Sequence, residues 1–285
     1  MDRTFWRVIA NDEKALPQGE WVGELAPELL SWLGSTDVEL RDEFAYRILA
    51  AWIERDQFEP DQLRDLARQM LDNLQVGLGE REGDSVFLRS YSALVLMEIV
   101  AYDNAHPFLR QSEVARLLDG ALDYLRQECD LRAWVEGPGW AHAIAHTADL
   151  LMMLARNLHL GTVELERLLD GVADRLLQPC GVVFVQQEDE RLAYAVLNVL
   201  RRGLVGRKFL DGWLGRFTHP PGRDSWRLVH TLDGESAARV NATSFLRSLY
   251  FQLMLTENPP PDATEHLAAV LATLERMDIG FYSLG

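Results

Sequence analysis

Two histidines and an aspartate lie at helical spacing within residues 134–157, WVEGPGWAHAIAHTADLLMMLARN. At about 100° per residue, His142, His146 and Asp149 fall within roughly 60° of one another on a helix whose opposite side is apolar. Two imidazoles four residues apart, completed by a carboxylate, suit zinc or a similar divalent cation. Glu136 precedes a Gly-Pro-Gly turn and can reach the same helix end. One hypothesis is therefore a metal-dependent hydrolase with Glu136 as general base.

The same residues have a second interpretation that needs no metal. No glutamate follows His142, so the H-E-x-x-H pattern of zinc proteases is absent. The histidines would then bond to neighbouring elements or line a groove, and no cofactor is expected. Phosphate-binding loops, dinucleotide-binding glycine motifs and serine-hydrolase elbows are missing as well, so a nucleotide-dependent or serine-hydrolase mechanism has no support.

The elements that must position these residues are helices arranged in pairs. Apolar side chains recur at steps of three and four residues, and glycines or polar turns separate the segments. A short β-branched run at 178–187 predicts either an extended segment or a buried irregular linker. The predicted helix pairs are 20–33 with 37–55, 61–76 with 87–100, 112–126 with 139–157, 162–177 with 188–200, and 204–217 with 236–255.

The second helices share an arginine followed four residues later by a small residue. Four copies keep this signature, and the central copy has Ala141 and Ala145 instead. The small residues are 48, 52, 50 and 48 residues apart, and a period near fifty with two helices per unit is typical of an α-solenoid. Chance alignment within an ordinary helical bundle is the alternative. The four complete copies are Arg41 with Ala45, Arg89 with Ala93, Arg191 with Ala195, and Arg239 with Thr243.

Polar side chains on the second helices predict a groove. If these helices line the concave side of a solenoid, polar groups of successive units face one another, which suits a polar ligand or peptide, and Trp140 forms an aromatic wall. The helix dipole explains the acids at 188–190 equally well, bridging between repeats explains the arginines, and a solvated face needs no ligand. The candidate groove residues are Glu136, Trp140, His142, His146, Asp149, Glu188, Arg191, Asn241 and Arg247.

Two family resemblances follow from particular segments. The segment APELLSWLGSTDVELRDEFAYRILAAW resembles HEAT repeats, with a proline in the first helix, an aspartate in the turn and an arginine in the second helix. The segments WVEGPGWAHAIAHTADLL, EDERLA and NATSFLRSLYFQL together look like the bacterial domain-of-unknown-function family 2785. That resemblance implies a helical architecture over most of the chain and leaves the function open.

The composition of the chain argues against some classes of partner and favours one kind of cellular compartment. The 285 residues carry a net charge of -16, which argues against nucleic acid and anionic membranes as partners. Two cysteines outside any C-x-x-C pair favour a reducing compartment. The start MDRTFWRVIANDEK lacks the apolar run of a signal peptide, and Glu98 interrupts the most apolar segment, so no membrane span is predicted.

These patterns together predict an all-α protein. We expect one HEAT-like α-solenoid domain over 1–285, with about five helical hairpins and a capping helix at 262–277. The predicted function is a cytoplasmic binding or scaffold module for a protein, a peptide or a small polar ligand, with the metal-dependent hydrolase as the alternative. The oligomeric state stays open.

Overall fold

The computed structural model describes residues 1–220, 226 and 235–277, and these residues are mostly helical, which confirms the all-α class. The chain divides into two compact units, Met1–Met153 and Leu154–Gly285. The prediction of one continuous domain over 1–285 stays a prediction. In the first unit the elements are α1 (Arg3–Asn11), α2 (Val22–Trp32), a π-helix (Glu39–Tyr46) that continues as α3 (Arg47–Glu54), α4 (Pro60–Asn73), α5 (Ser85–Ala105), α6 (Gln111–Gln127), β1 (Trp134–Val135) and β2 (Gly139–Trp140).

Helix α7 (Ala143–Arg156) carries the boundary between the units, and five helices follow it within the described residues. They are α8 (Thr162–Leu177), α9 (Glu188–Arg201), α10 (Arg207–Thr218), α11 (Glu235–Leu255) and α12 (Ala263–Met277).

In the first unit the second helices of successive pairs contact each other. Helix α3 packs on α5, and α4 packs on α5 as the other half of its hairpin. The buried stripe of α4 consists of Leu63, Leu66, Ala67 and Met70, at the spacing that puts apolar side chains on one helix face. Helices α1 and α2 cover the π-helix, and Trp6 of α1 and Trp52 of α3 are fully buried. The core of this unit therefore lies at the contacts between these helices.

The second unit repeats this arrangement. Helix α9 packs on α11, α8 packs on α10, and α12 covers α10 and α11. Trp213 of α10 donates from Nε1 to the Leu169 carbonyl of α8 at 2.8 Å, and Phe217 stacks on Phe245 with ring centroids 5.7 Å apart. The capping helix predicted at 262–277 is present as α12.

Most predicted helices agree with the structure, and three differences stand out. Helix α1 was not predicted, the segment at 37–55 begins as a π-helix, and α7 begins at Ala143 rather than at 139. The run at 178–187 is an irregular linker without strand structure, and it is mostly exposed, whereas the irregular linker predicted as one alternative was a buried one. The loop before α11 falls partly on 221–225, outside the described residues.

Helix α5 meets the length and composition of a membrane span, contrary to the prediction that no segment would. Its most apolar window has a mean hydropathy of 1.3, but 67% of that window is buried inside the protein. Burial of this kind is typical of a core helix in a globular protein. The finding is consistent with a soluble protein.

Candidate functional site

The site in the first unit begins with the π-helix. The side chain of Asp37 accepts hydrogen bonds from the backbone N–H of Glu39 at 3.0 Å and Leu40 at 3.3 Å, which caps the helix start. The N–H of Arg47 at its end bonds to the Asp42 carbonyl five residues back. π-Helical turns are rare and are frequent at functional sites. The apolar spacing of 37–55 gave no indication of this wider turn.

Arg41, inside the π-helix, is fully buried and holds the loop that carries Glu136 and Trp140. Its Nη2 donates to the Pro138 carbonyl at 2.7 Å, its Nη1 to the Ser35 carbonyl at 2.9 Å, and its Nε to Asp42 at 2.7 Å. Each side-chain nitrogen therefore has an acceptor, as a buried guanidinium requires. The repeat arginine of the first pair is an anchor between the π-helix and residues 134–140.

Residues 134–140 form a short antiparallel β-hairpin, whereas the sequence predicts a helix start there. Trp134 pairs with Trp140, and Val135 pairs with Gly139. Gly139 has a φ of +81°, and a side chain on it would lie 3.3 Å from Val38 Cγ2 and 3.5 Å from a nitrogen of Arg41. Glycine is therefore required here for both its backbone conformation and its small size.

His142 is the residue before α7 and does not lie on its face. Its φ is +50°, and its carbonyl accepts the N–H of His146 at 2.9 Å, the first bond of the helix. The predicted placement of His142 and Asp149 on one helix face is therefore wrong, because His142 lies outside the helix. The left-handed backbone instead turns the His142 ring against Trp140, where the two rings stack with centroids 4.3 Å apart and planes at 23°.

Six rings follow one another from the hairpin to the π-helix, and we call them the aromatic row. Successive centroids are 4.9, 4.3, 5.6, 5.3 and 6.0 Å apart. Four of the five contacts are edge-to-face, an arrangement that the ring quadrupoles favour. The row begins at an exposed ring, since the first tryptophan is 56% exposed. Its members, in spatial order, are Trp134, Trp140, His142, His146, Tyr91 and Tyr46.

Ser90 of α5 orients the imidazole of His146. The hydroxyl of Ser90 donates to the Ala141 carbonyl and lies 2.6 Å from His146 Nδ1. Because the single hydroxyl proton goes to the carbonyl, the serine oxygen accepts from Nδ1–H. This assignment leaves the Nε2 lone pair of a neutral His146 directed away from the serine. Ser90 was not predicted from the sequence, because its role depends on a contact 56 residues away.

The row ends at carboxylates from three successive second helices, and we call these the acidic end: Glu54, Glu98 and Asp149. The Tyr46 hydroxyl donates to Glu98 at 2.8 Å. Burial raises the pKa of Glu98 above its ordinary value, the Tyr46 hydrogen bond opposes this, and the charges of Glu54 and Asp149 raise the pKa further. Burial and the charge of Glu98 likewise raise the pKa of Tyr46. Glu54 and Asp149 therefore lie close enough to Glu98 to oppose its ionisation.

The sequence did contain a signal for Glu98. It interrupts the apolar run of α5, where a charge is costly unless it has a purpose. From the sequence alone this charge indicated only that the apolar run is interrupted.

The metal hypothesis is not supported by this geometry and stays a prediction. Within residues 1–220, 226 and 235–277, no group of three or more His, Cys, Asp or Glu side chains is placed to hold a metal ion. His142 stacks on Trp140, and His146 Nδ1 faces Ser90. Glu136, the proposed general base, is exposed in the hairpin loop.

Four candidate groove residues belong to the second unit. Glu188 is buried and accepts the backbone N–H of Gln186 at 2.8 Å. Asn241 is 1% exposed, and its amide accepts from Phe184 N at 2.8 Å and donates to the Val182 carbonyl at 3.0 Å. Asn241 therefore anchors the linker at 178–187 through both ends of its amide. The remaining two, Arg191 and Arg247, are half-buried and exposed respectively.

A comparison with known protein families gives a match over most of the chain. Residues 74–251 match the family described as "Protein of unknown function (DUF2785)". The chain belongs to this family. The matched region includes the hairpin, His142, His146 and Glu98. It begins after the π-helix, which therefore lies outside the match. No curated protein and no solved structure is detectably similar to the chain.

Proposed function

We propose that this chain is an α-solenoid of HEAT-like helical pairs that works as a cytoplasmic binding module for a protein or peptide. The packing of second helix on second helix, α3 on α5 and α9 on α11, supports the repeat arrangement, as does that of α8 on α10. In such stacks each pair buries its apolar faces against its neighbours, and the second helices present their other faces to a partner. The segment at 26–52 supplies the HEAT-like signature.

The ligand group that this site suits best is an organic cation, such as the guanidinium of an arginine side chain. Trp134 and Trp140 offer ring faces to one cation where the row begins, and the acidic end offers carboxylates to a second cation where the row ends. A protein with a net charge of -16 also attracts a basic partner over a long range. The predicted contributions of Arg191 and Arg247 to a groove remain part of the proposal.

The environment of Glu98 is the observation that carries this proposal. Its ionisation is opposed by burial and by Glu54 and Asp149. A bound cation would remove that opposition, because an opposite charge nearby favours the ionised carboxyl. Binding would then release a proton at a pH near the raised pKa of Glu98. Groups kept in such an environment cluster at functional sites.

The experiment compares two blocked peptides that differ only in charge. One contains two arginines between glycines, and the other contains citrulline, the neutral analogue, at the same positions. Isothermal titration calorimetry should show binding of the arginine peptide and about tenfold weaker binding of the citrulline peptide. Glu98→Gln should reduce affinity for the arginine peptide by about tenfold, with little effect on the citrulline peptide.

Glu20→Gln is the matched control. Glu20 is exposed, and the substitution removes the same charge away from the aromatic row. Affinity should then change less than about twofold, since exposed charges are screened by salt. Equal losses from Glu98→Gln and Glu20→Gln, or equal binding of both peptides, would contradict the proposal.

The metal-dependent hydrolase stays a second hypothesis, with a direct test. Elemental analysis of protein purified after zinc supplementation should show near-stoichiometric metal if His142, His146 and Asp149 bind it. His142→Ala should then lower both metal content and thermal stability. A metal-free protein whose stability does not change on His142→Ala would remove the hypothesis.

A further inference from the structure

A second concave site lies between α4 and α6, and it shares no residue with the aromatic row. The cavity has a volume of about 310 Å³, within the range of small-molecule sites. Buried side chains of Ala67, Leu109 and Leu117 form its apolar part, and Leu71 completes it. Its charged residues are Arg64, Arg68, Asp72, Glu113 and Arg116.

Close packing of the two helices shapes the apolar part. A Cβ at position 120 would lie 2.5 Å from Leu71 Cδ2, so the glycine lets Leu71 approach α6. The side chain of Leu71 is only half-buried because one side of it borders the cavity. The cavity is therefore a feature of α4 and α6 themselves.

Arg64 contributes a donor whose acceptor is missing. Its Nη1 donates to Asp61 at 2.6 Å, and its Nη2 donates to the Phe108 carbonyl. Its Nε is buried without a hydrogen-bond partner among the described residues, although it forms a longer ion pair of 3.6 Å with the Glu113 carboxylate. A buried N–H without an acceptor lowers stability, and an acceptor in the cavity would remove that cost.

Arg116 adds an exposed guanidinium that lies at the edge of the cavity. Arg68 forms an ion pair with Asp65, but within the part of the chain that the structure describes no carboxylate pairs with Arg116. The partners Asp61 and Asp65 are 93% and 67% exposed, so water screens their charges. Arg116 and the Nε of Arg64 can therefore donate hydrogen bonds to a ligand in the cavity.

We propose that this cavity binds a small organic anion, with one carboxylate or phosphate group on an apolar body. The anionic group would accept hydrogen bonds from Arg116 and from Arg64 Nε, the kind of charge-assisted contact that arginine provides best. The apolar body would lie against Leu71, Leu109 and Leu117. This inference does not depend on the proposed cation site, because neither set of residues contributes to the other.

The test uses probes with one tail and different head groups. Octanoate, octyl phosphate, octanol and octylammonium are titrated into the protein and followed by nuclear magnetic resonance. Octanoate or octyl phosphate should bind at least about tenfold more tightly than octanol and octylammonium. The comparison of octanoate with octyl phosphate identifies the preferred head group.

Variants assign the effect to the cavity. Arg116→Gln should weaken anion binding about tenfold with no change for octanol, and Arg116→Lys should recover part of it. Arg126→Gln, on the same helix and outside the cavity, should have no effect. Ala67→Leu should weaken every probe by filling the apolar part. Octanol that binds as tightly as octanoate, or Arg116→Gln with unchanged anion affinity, would overturn the proposal.

Discussion

The central second helix differs from the other second helices in where it starts, and this difference explains the site. Helices α5, α9 and α11 begin at Ser85, Glu188 and Glu235, which lie eight, seven and eight residues before their small repeat residues Ala93, Ala195 and Thr243. Helix α7 begins only two residues before Ala145. More than one helical turn is therefore missing from the central copy.

The hairpin takes the place of that turn. Position 141, where the other copies have arginine, precedes α7, and the N–H of Ala141 bonds to the Ala133 carbonyl as part of the hairpin. The repeat arginine has no helical position there. In its place the chain presents Trp140 and His142, which begin the aromatic row. A local departure from the repeat thus coincides with the residues best suited to binding.

The linker before α9 has the same backbone feature as the hairpin, a residue with positive φ just before the helix, but it has no aromatic row. Gln187 precedes α9 with a φ of +70°, as His142 precedes α7, and its carbonyl accepts the N–H of Arg191. A buried side chain holds each connection, Arg41 for the hairpin and Asn241 for the linker. The fold therefore requires an anchored connection in both places, and only the first one carries aromatic and imidazole side chains.

The largest expected effect concerns a copy that keeps its arginine. Arg89 is fully buried and binds Glu128 through Nε at 2.7 Å and Nη2 at 3.0 Å. Arg89→Met would leave a carboxylate buried without its partner, which costs about 3–5 kcal/mol in the free energy of unfolding. Urea denaturation measures this. Arg126→Met, at an exposed position, should change the value by less than about 0.5 kcal/mol. Equal effects would contradict the anchoring role.

The hairpin offers a sharper test through its two glycines. Gly139→Ala meets both a left-handed backbone and Val38, and should lower the free energy of unfolding by about 2–3 kcal/mol. Gly137 has a φ of +91° but open space around it, so Gly137→Ala should cost only about 1 kcal/mol. Urea denaturation of both variants gives the difference. Equal losses of stability from Gly139→Ala and Gly137→Ala would contradict the close contact between the hairpin and Val38.

The smallest effect concerns Glu98 and has the opposite sign. Glu98→Gln keeps an acceptor for Tyr46 and removes a disfavoured charge, so stability at neutral pH should rise on the order of 0.5 kcal/mol, or about 1–2 °C in Tm.

Because the folded pKa of Glu98 is raised, the unfolded chain ionises first as pH increases, and wild-type stability falls over that interval. The gain should therefore disappear below about pH 4.5, the ordinary value for glutamate. Thermal unfolding at several pH values measures both. A lower Tm at neutral pH would contradict the account of Glu98.

Much of the fold was predictable because helix signals are local. Helix α8 matches its predicted bounds of 162–177, since the apolar spacing is regular and Gly161 N–H bonds to Glu164 as a start signal. The Gly-Pro-Gly sequence is ambiguous in isolation, because glycines with positive φ serve both helix ends and hairpin turns. The wider turn of the π-helix has no counterpart in the apolar pattern.

The site was predictable only in part. Trp140, His142, His146 and Asp149 were identified, because aromatic, imidazole and carboxylate side chains occur within ten residues. Their partners Ser90, Tyr91 and Tyr46 were missed, since a contact across 50 residues or more leaves no trace in local spacing. The Asn241 amide is bonded to the backbone of 182–184, a contact that local spacing does not reveal, and its contribution to a groove stays a prediction.

We expect the peptide with two arginines to bind along the aromatic row, with one guanidinium beside Trp134 and Trp140 and the other at the acidic end. The most direct measurement follows the indole N–H resonances of the eight tryptophans during titration with the arginine peptide. Trp134→Phe and Trp140→Phe identify the two signals of the row. Saturable shifts should be concentrated in these two signals, should be absent with the citrulline peptide and should be strongly weakened by Glu98→Gln. Unchanged Trp134 and Trp140 signals, or shifts spread evenly over all tryptophans, would contradict it.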